Sequence, residues 1–187
     1  MTSDNGSSGS SGTLRVAAAQ VNTNVGDIDG NARLIEKWIG LSQDQGADLV
    51  AFPELTITGY PPEDLVLYDN FIAANKAALN RIASSVGDIV AVVGFVDSEE
   101  TPTGTKLFNA AAVLHNRKVI TTYRKIHLPN YGVFDERRYF TPGSECPVLS
   151  INGIKVGINI CEDIWQQIGP SEVQCANGAQ IIVNINS

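Results

Sequence analysis

Three residues of this chain have side-chain types that together could cleave an amide. Glu54 follows the apolar run 49–52 and Pro53, Lys125 follows the run 119–124, and Cys161 follows Ile154–Ile160 and precedes the acidic pair Glu162-Asp163. Each stands where a regular strand would hand the chain to a loop, a position from which a rigid element can aim a side chain. A cysteine attacks as its thiolate, so it needs a base or a cationic neighbour. A glutamate can take the thiol proton and return it to a leaving amine. A lysine can offset the negative charge of a tetrahedral intermediate, helped by the backbone N–H just after the nucleophile, here that of Glu162. Singly, each residue also has a plain structural explanation: a small buried hydrophobe for the cysteine, a turn for the glutamate, solvated surface for the lysine.

The elements that must position these residues can be read from the apolar pattern. Strands are expected at 14–20, 48–52, 89–96, 108–115, Lys118–Arg124, Val148–Ile151, Ile154–Ile160 and 180–186. Helices are expected at 31–45, with Leu34, Ile35, Trp38, Ile39 and Leu41 near one face, at 71–85, and over 171–176. Asn116-Arg117 and Asn152-Gly153 fit tight hairpin turns. The order is β-α-β-α-β followed by hairpins, and several strands are apolar at nearly every position, as when both faces are covered. An α/β four-layer αββα sandwich fits this order better than a doubly wound sheet. Residues 1–12 are Gly, Ser, Asn, Asp and Thr after Met1, so they read as a disordered leader or linker. The folded domain is expected over 13–187.

Composition narrows the class without naming a reaction. The 187 residues are 43% hydrophobic and carry a net charge of −7, which argues against nucleic acid or an anionic membrane as partner. No apolar run approaches the roughly 18 residues that cross a bilayer. Cys146, Cys161 and Cys175 are an odd count without a C-x-x-C pair, and only His115 and His127 are present. A disulfide framework and a structural zinc site are therefore disfavoured, no metal site is expected, and a reducing cytoplasm is the simpler setting. Cys146 and Cys175 read as packing residues. His127 would share a strand face with Lys125 and reads as structural, and Arg137-Arg138 as partners of acidic neighbours such as Asp135.

Three segments carry a resemblance. Phe52-Pro53-Glu54-Leu55, Arg124-Lys125-Ile126-His127-Leu128-Pro129 and Gly157-Ile158-Asn159-Ile160-Cys161-Glu162-Asp163 resemble, in that order, the signature regions of the nitrilase (carbon–nitrogen hydrolase) superfamily. The resemblance implies an αββα fold and thioester chemistry, with Glu54 as general base, Lys125 as oxyanion stabiliser and Cys161 as nucleophile. The segments Thr58-Gly59-Tyr60-Pro61-Pro62-Glu63-Asp64-Leu65, Pro129-Asn130-Tyr131-Gly132-Val133-Phe134-Asp135-Glu136 and Cys161-Glu162-Asp163-Ile164-Trp165 are similar to the glutaminase domains of glutamine-dependent NAD synthetases. That likeness implies glutamine as substrate, with Tyr60, Tyr131, Phe134 and Glu136 lining its pocket. It also implies ammonia delivery to a synthetase domain in the same or a partner chain, and a homo-oligomer for the full-length protein. Without the resemblance, Tyr60-Pro61-Pro62 reads equally as a stiff turn and Tyr131 and Phe134 as aromatic core. No phosphate-loop, G-x-G-x-x-G or Ser-Gly-Gly-x-Asp-Ser segment occurs. Thus no cofactor is expected here, and ATP and Mg belong to the missing synthetase domain. Set against the superfamily, the chain reads as truncated at its C-terminal side. The alternatives are a stand-alone amidase or carbamoylase, or a catalytically silent fragment.

Overall fold

The computed structural model describes residues 12–187, so the expected leader falls outside the described residues except for Gly12. The chain order is β1 (Val16–Ala18), α1 (Ile28–Asp44), β2 (Leu49–Ala51), α2 (Asp69–Ser85), β3 (Val90–Thr101), β4 (Gly104–His115), β5 (Lys118–Arg124), β6 (Val148–Ile151), β7 (Ile154–Ile160), α3 (Pro170–Ala176) and β8 (Ile181–Ile185). Two sheets result, one ordered β1-β2-β3-β4-β5 and one ordered β6-β7-β8. The helical crossovers make β1, β2 and β3 parallel, whereas the hairpins make β3, β4 and β5 antiparallel. In the second sheet β6 and β7 are antiparallel and β8 runs parallel to β7.

Side-chain alternation sets the layers. Val50, Phe52, Ala91, Val93, Ala110, Ala112 and Leu114 face α1 and α2, with Ile35, Ile39, Leu79 and Ile82 as their partners. The opposite faces carry Leu49, Val90, Val92, Ala111, Val113 and Tyr123, which pack on Ile151, Val156, Ile158, Ile160 and Ile185 of the second sheet. Gly157 and Asn159, on the far side of β7, meet Gln174 of α3. The layers are therefore helices, sheet, sheet, helix, the αββα sandwich that the pattern predicts.

Several boundaries differ for physical reasons. Helix α1 starts three residues earlier than the periodicity suggests, because Asp27 Oδ1 accepts from the Gly30 amide at 2.9 Å and caps Ile28-Asp29-Gly30. Its buried stripe runs Ile28, Ala32, Ile35, Ile39, Ser42, the 3.6-residue row. Trp38 and Leu41, expected inside, lie on the outer side and are exposed. The β3–β4 hairpin extends well past its apolar part, with Glu99 opposite Lys106 and Thr101 opposite Gly104. Those polar residues hide a ladder from hydrophobic pattern reading, since a hairpin tip in solvent needs no apolar face.

One close approach decides where the end of β2 can go. A Cβ on Gly94 would meet the Leu55 amide nitrogen and the Pro53 carbonyl oxygen well inside van der Waals contact. Only glycine lets the Pro53-Glu54-Leu55 segment cross β3 at this distance, and the Ile57 amide then donates to the Gly94 carbonyl at 3.1 Å. Backbone atoms cannot move aside as a flexible side chain can. Gly94→Ala is expected to cost about 1–3 kcal/mol of stability, the usual range for overpacking. Urea denaturation would read it, and an unchanged midpoint would refute this account of the crossing.

Candidate active site

The ends of β2, β5 and β7 meet at one edge of the sandwich. Glu54 leaves β2 just ahead of Leu55, whose φ of +48° turns the chain sharply. Lys125 directly follows β5, its amide donating to the Asn109 carbonyl of β4 at 2.8 Å. Cys161 directly follows β7 at φ +45° and opens a 3-10 turn over Cys161–Ile164. A positive φ at a residue with a Cβ costs on the order of 1–3 kcal/mol, so neighbouring bonds must hold it.

Asp163 supplies them. It is fully buried, and its Oδ2 accepts from the Ile160 amide at 3.2 Å and the Tyr123 hydroxyl at 2.6 Å. Its Oδ1 accepts from the Ile126 and His127 amides at 3.2 and 2.8 Å. One carboxylate thus ties the turn carrying Cys161 to the loop carrying Lys125, across the two sheets. Burial raises its pKa although these four bonds favour the anion. Behind Cys161, Asn184 Nδ2 donates to Asn159 Oδ1 at 2.7 Å and to the Cys161 carbonyl at 3.3 Å.

The centre itself is charged and dry. Lys125 Nζ lies 2.7 Å from Glu54 Oε1 and 3.0 Å from Glu136 Oε1, with Glu54, Lys125 and Glu136 all at most 5% exposed. Tyr60 donates its hydroxyl to Glu136 Oε1 at 3.1 Å. Asn109 Nδ2 donates to Glu54 Oε1 at 2.7 Å and to Glu136 Oε2 at 3.4 Å. Glu54 Oε2 is buried without a hydrogen-bond partner, which leaves it free to take a proton.

Burial and charge set the protonation states. Desolvation, outweighing the Lys125 ammonium, raises the Glu54 carboxyl above its ordinary value. Burial also pushes the Cys161 thiol up, and the Glu54 charge adds to it against the pull of Lys125, giving about 11. For Lys125 burial acts downward, yet the charges of Glu54 and Glu136 prevail and hold the ammonium above its usual range. Tyr60 is pushed well above the normal phenol by burial and then by the Glu136 charge. The arrangement is a thiol that stays protonated at neutral pH, beside a carboxyl group of raised basicity and a held ammonium. It can pass a proton from sulfur to Glu54 and offer positive charge to a developing oxyanion.

The sequence-derived residues fall into two groups. Glu54, Lys125, Cys161 and Glu136 are brought together, and the Glu162 amide opens the turn at Cys161. Tyr60, Phe134 and Glu136 line one recess of about 470 Å³. Tyr131 lies outside that recess and is 59% exposed. Its hydroxyl donates to Glu162 Oε2 at 2.7 Å and its ring stands edge-on to Phe134 at 5.7 Å. The aromatic-core alternative for Tyr131 fails on that exposure. Lys125 and His127 lie beyond the end of β5, so they share no strand face, and His127 serves through its backbone amide. Cys175, read as a packing residue, is exposed, because Val173 and Cys175 fall off the buried row of α3 that ends in Gln174. Arg138 pairs with Asp64 at 3.2 Å rather than with Asp135. Among the described residues, no group of three His, Cys, Asp or Glu could hold a metal ion, and no helix is long and apolar enough to cross a membrane.

Sequence reasoning missed Asn109 and the linking role of Asp163. A lone amide inside the otherwise apolar stretch of β4 is the signal that could have found Asn109.

The carbon–nitrogen hydrolase family model matches residues 15–187. The chain belongs to this family. As a carbon–nitrogen hydrolase domain it is 44% identical over 177 residues to the glutamine-dependent NAD(+) synthetase of Thermotoga maritima, covering 93% of this chain and 30% of that protein. It is 47% identical over 156 residues to the corresponding protein of Xanthomonas campestris, covering 82% and 28%. The chain thus spans about 30% of the length of these curated relatives. Among solved structures, the glutamine-dependent NAD+ synthetase of Acinetobacter baumannii in complex with ADP superposes with a TM-score of 0.86 at 39% identity, over 93% of this chain and 32% of that one. An amidase from Nesterenkonia sp. AN1, a form with acrylamide added at its active site cysteine, superposes with a TM-score of 0.76 at 25% identity, over 93% of this chain and 67% of its own.

Removing the Asp163 carboxylate leaves three amides and a phenol without their acceptor. Asp163→Ala is expected to destabilise this domain by about 3 kcal/mol or more, since each buried group left unpaired typically costs ~1–3 kcal/mol. A chemical denaturation series measures this, and a loss under about 1 kcal/mol would contradict the linking role.

Proposed function

We propose that this carbon–nitrogen hydrolase domain hydrolyses the side-chain amide of glutamine through a thioester on Cys161. The observation that carries the reading is Glu54: a buried carboxylate, bonded to Lys125 through one oxygen, with its other oxygen unpartnered beside a thiol. The identity to glutamine-dependent NAD synthetases supports the choice of glutamine, and acrylamide at the active site cysteine of the amidase relative supports a thiol nucleophile. The higher identity to the synthetases, 44% against 25%, favours glutamine over the small amides of a stand-alone amidase.

In this mechanism Glu54 accepts the Cys161 proton as sulfur attacks the amide carbon and a C–S bond forms. The Glu162 N–H and Lys125 Nζ take the oxyanion. Lys125 has three donors, and two are committed to carboxylates, which leaves one for the substrate oxygen. Glu54 then gives its proton to the nitrogen as the C–N bond breaks, releasing ammonia. Water adds to the thioester, Glu54 takes a proton from it, and cleavage of the C–S bond restores the thiol and releases glutamate. Tyr60, Phe134 and Glu136 line a recess that meets the centre through Glu136, and Tyr131 lines a separate one with Glu162.

The ammonia would pass to a synthetase portion, in the same or a partner chain, that amidates nicotinic acid adenine dinucleotide to NAD. ATP and Mg2+ chemistry belongs to that portion, and no step here runs through it. Three cysteines, all present as thiols, fit a cytoplasmic setting.

The test is glutamine hydrolysis by the chain beside its variants. Cys161→Ala should abolish glutamate release, and Lys125→Ala or Glu54→Ala should each lower the rate by ~10²–10³-fold, about the effect of deleting one oxyanion donor. Equal rates for Cys161→Ala and the parent chain would sink the mechanism. A glutamine-like diazoketone should label Cys161, as read by mass spectrometry; a label mainly on Cys146 or Cys175 would contradict the assignment. The acid limb of the rate profile should lie above the usual glutamate range, because the raised Glu54 protonates, and stops acting as base, at higher pH than an exposed carboxylate does. An acid limb at or below 4.5, the ordinary value, would refute that protonation order.

A further inference from the structure

We propose that Asn109 is a positioning residue of this centre: its side-chain amide clamps Glu54 and Glu136 together and holds Glu54 as an ionised base beside Cys161. The inference rests on the base role given to Glu54 above and extends it to a residue that neither touches the substrate nor reacts.

The need for a clamp follows from charge counting. Two carboxylates share one ammonium in a dry site, so the cluster has one negative charge in excess. Like charges that close together favour protonation of one of them. A base that is protonated is no base, and the excess must be offset by neutral donors. The donors present are the Tyr60 hydroxyl on Glu136 and the Asn109 amide, and only the amide reaches both carboxylates.

The placement of Asn109 fits this task. It is 1% exposed and lies in a run of β4, Phe108 to Leu114, that is otherwise apolar and buried. Its backbone carbonyl accepts the Lys125 amide, so one residue anchors both the main chain of the lysine and the carboxylates it pairs with. Its Oδ1 is buried without a partner. A side chain kept for packing would not leave an amide oxygen orphaned when leucine could fill the space. The amide orientation is forced, because turning it over would point the oxygen at two carboxylates. The buried oxygen is therefore the cost of directing the NH2 group at Glu54 and Glu136.

The experiment reads Cys161 directly and needs no glutamine turnover. Alkylation of Cys161 by iodoacetamide, followed by mass spectrometry across pH, should show a lower limb where Glu54 ionises. Glu54→Gln should abolish that limb. Asn109→Asp, nearly isosteric, replaces the donor by a further carboxylate and should move the limb upward by about one pH unit or more. Asn109→Ser, which removes the donor without adding charge, should move it in the same direction and keeps the test available where the aspartate does not fold. A purely structural role would lower rates or melting temperature and leave the limb in place. If the limb vanishes in Glu54→Gln but stays put in both Asn109 variants, the clamp is overturned and the base role stands. A limb that survives Glu54→Gln overturns both.

Discussion

The ammonium of Lys125, held between Glu54 and Glu136 away from water, is the constraint around which this domain is arranged. Burying an ion pair gives little net stability, because desolvation consumes most of the Coulombic gain. A stable sandwich has no need of such a group, and an apolar residue would fill the space more favourably. The arrangement makes sense as chemistry, and the surroundings show what it demands. Two carboxylates require more than one cation, so Asn109 and Tyr60 add neutral donors. Desolvation requires rigid walls, and three strand ends with their turns supply them.

Those walls depend on a few local devices rather than on the bulk of the core. Gly94 lets the Glu54 segment lie across β3. Asp163 binds the nucleophile turn to the lysine loop by four hydrogen bonds, so the two sheets are registered at the site by one carboxylate. The inter-sheet contacts of Val92, Val113, Ile158 and Ile160 hold the layers together, but apolar contacts are non-directional and would tolerate a small slide. Hydrogen bonds to Asp163 would not. The left-handed backbone at Cys161 survives for the same reason, with Asn184 fixing its carbonyl from the β8 side.

Which features were legible in the sequence follows from the range of the interaction that creates them. Glu54, Lys125 and Cys161 could be found because each stands next to its own strand end, a local signal. The strands Lys118–Arg124, Val148–Ile151 and Ile154–Ile160 match their predicted limits because Asn116-Arg117 and Asn152-Gly153 punctuate them. The outer half of the β3–β4 hairpin was invisible, since cross-strand pairs such as Glu99 and Lys106 in solvent leave no apolar period. Trp38 departs from expectation because the size of an apolar side chain does not decide its face: small Ala32 and Ser42 occupy the buried row. Asn109 leaves a local trace as a lone amide in an apolar run, but its role does not, because its partner Glu54 is 55 residues away, beyond the end of another strand.

The proton inventory links this geometry to a reaction. With the thiol held up to about 11, the resting site keeps its proton on sulfur at neutral pH. A thiolate formed before attack would sit beside the charges of Glu54 and Glu136, which disfavour it. That penalty falls when a carbonyl carbon arrives, because negative charge then moves from sulfur to an oxygen that Lys125 and the Glu162 amide can reach. The same burial that disfavours the thiolate at rest raises the basicity of Glu54, and so strengthens it as acceptor at that moment. Burial therefore suppresses the nucleophile without substrate and favours proton transfer with it, a coupling that an exposed cysteine beside an exposed glutamate would lack.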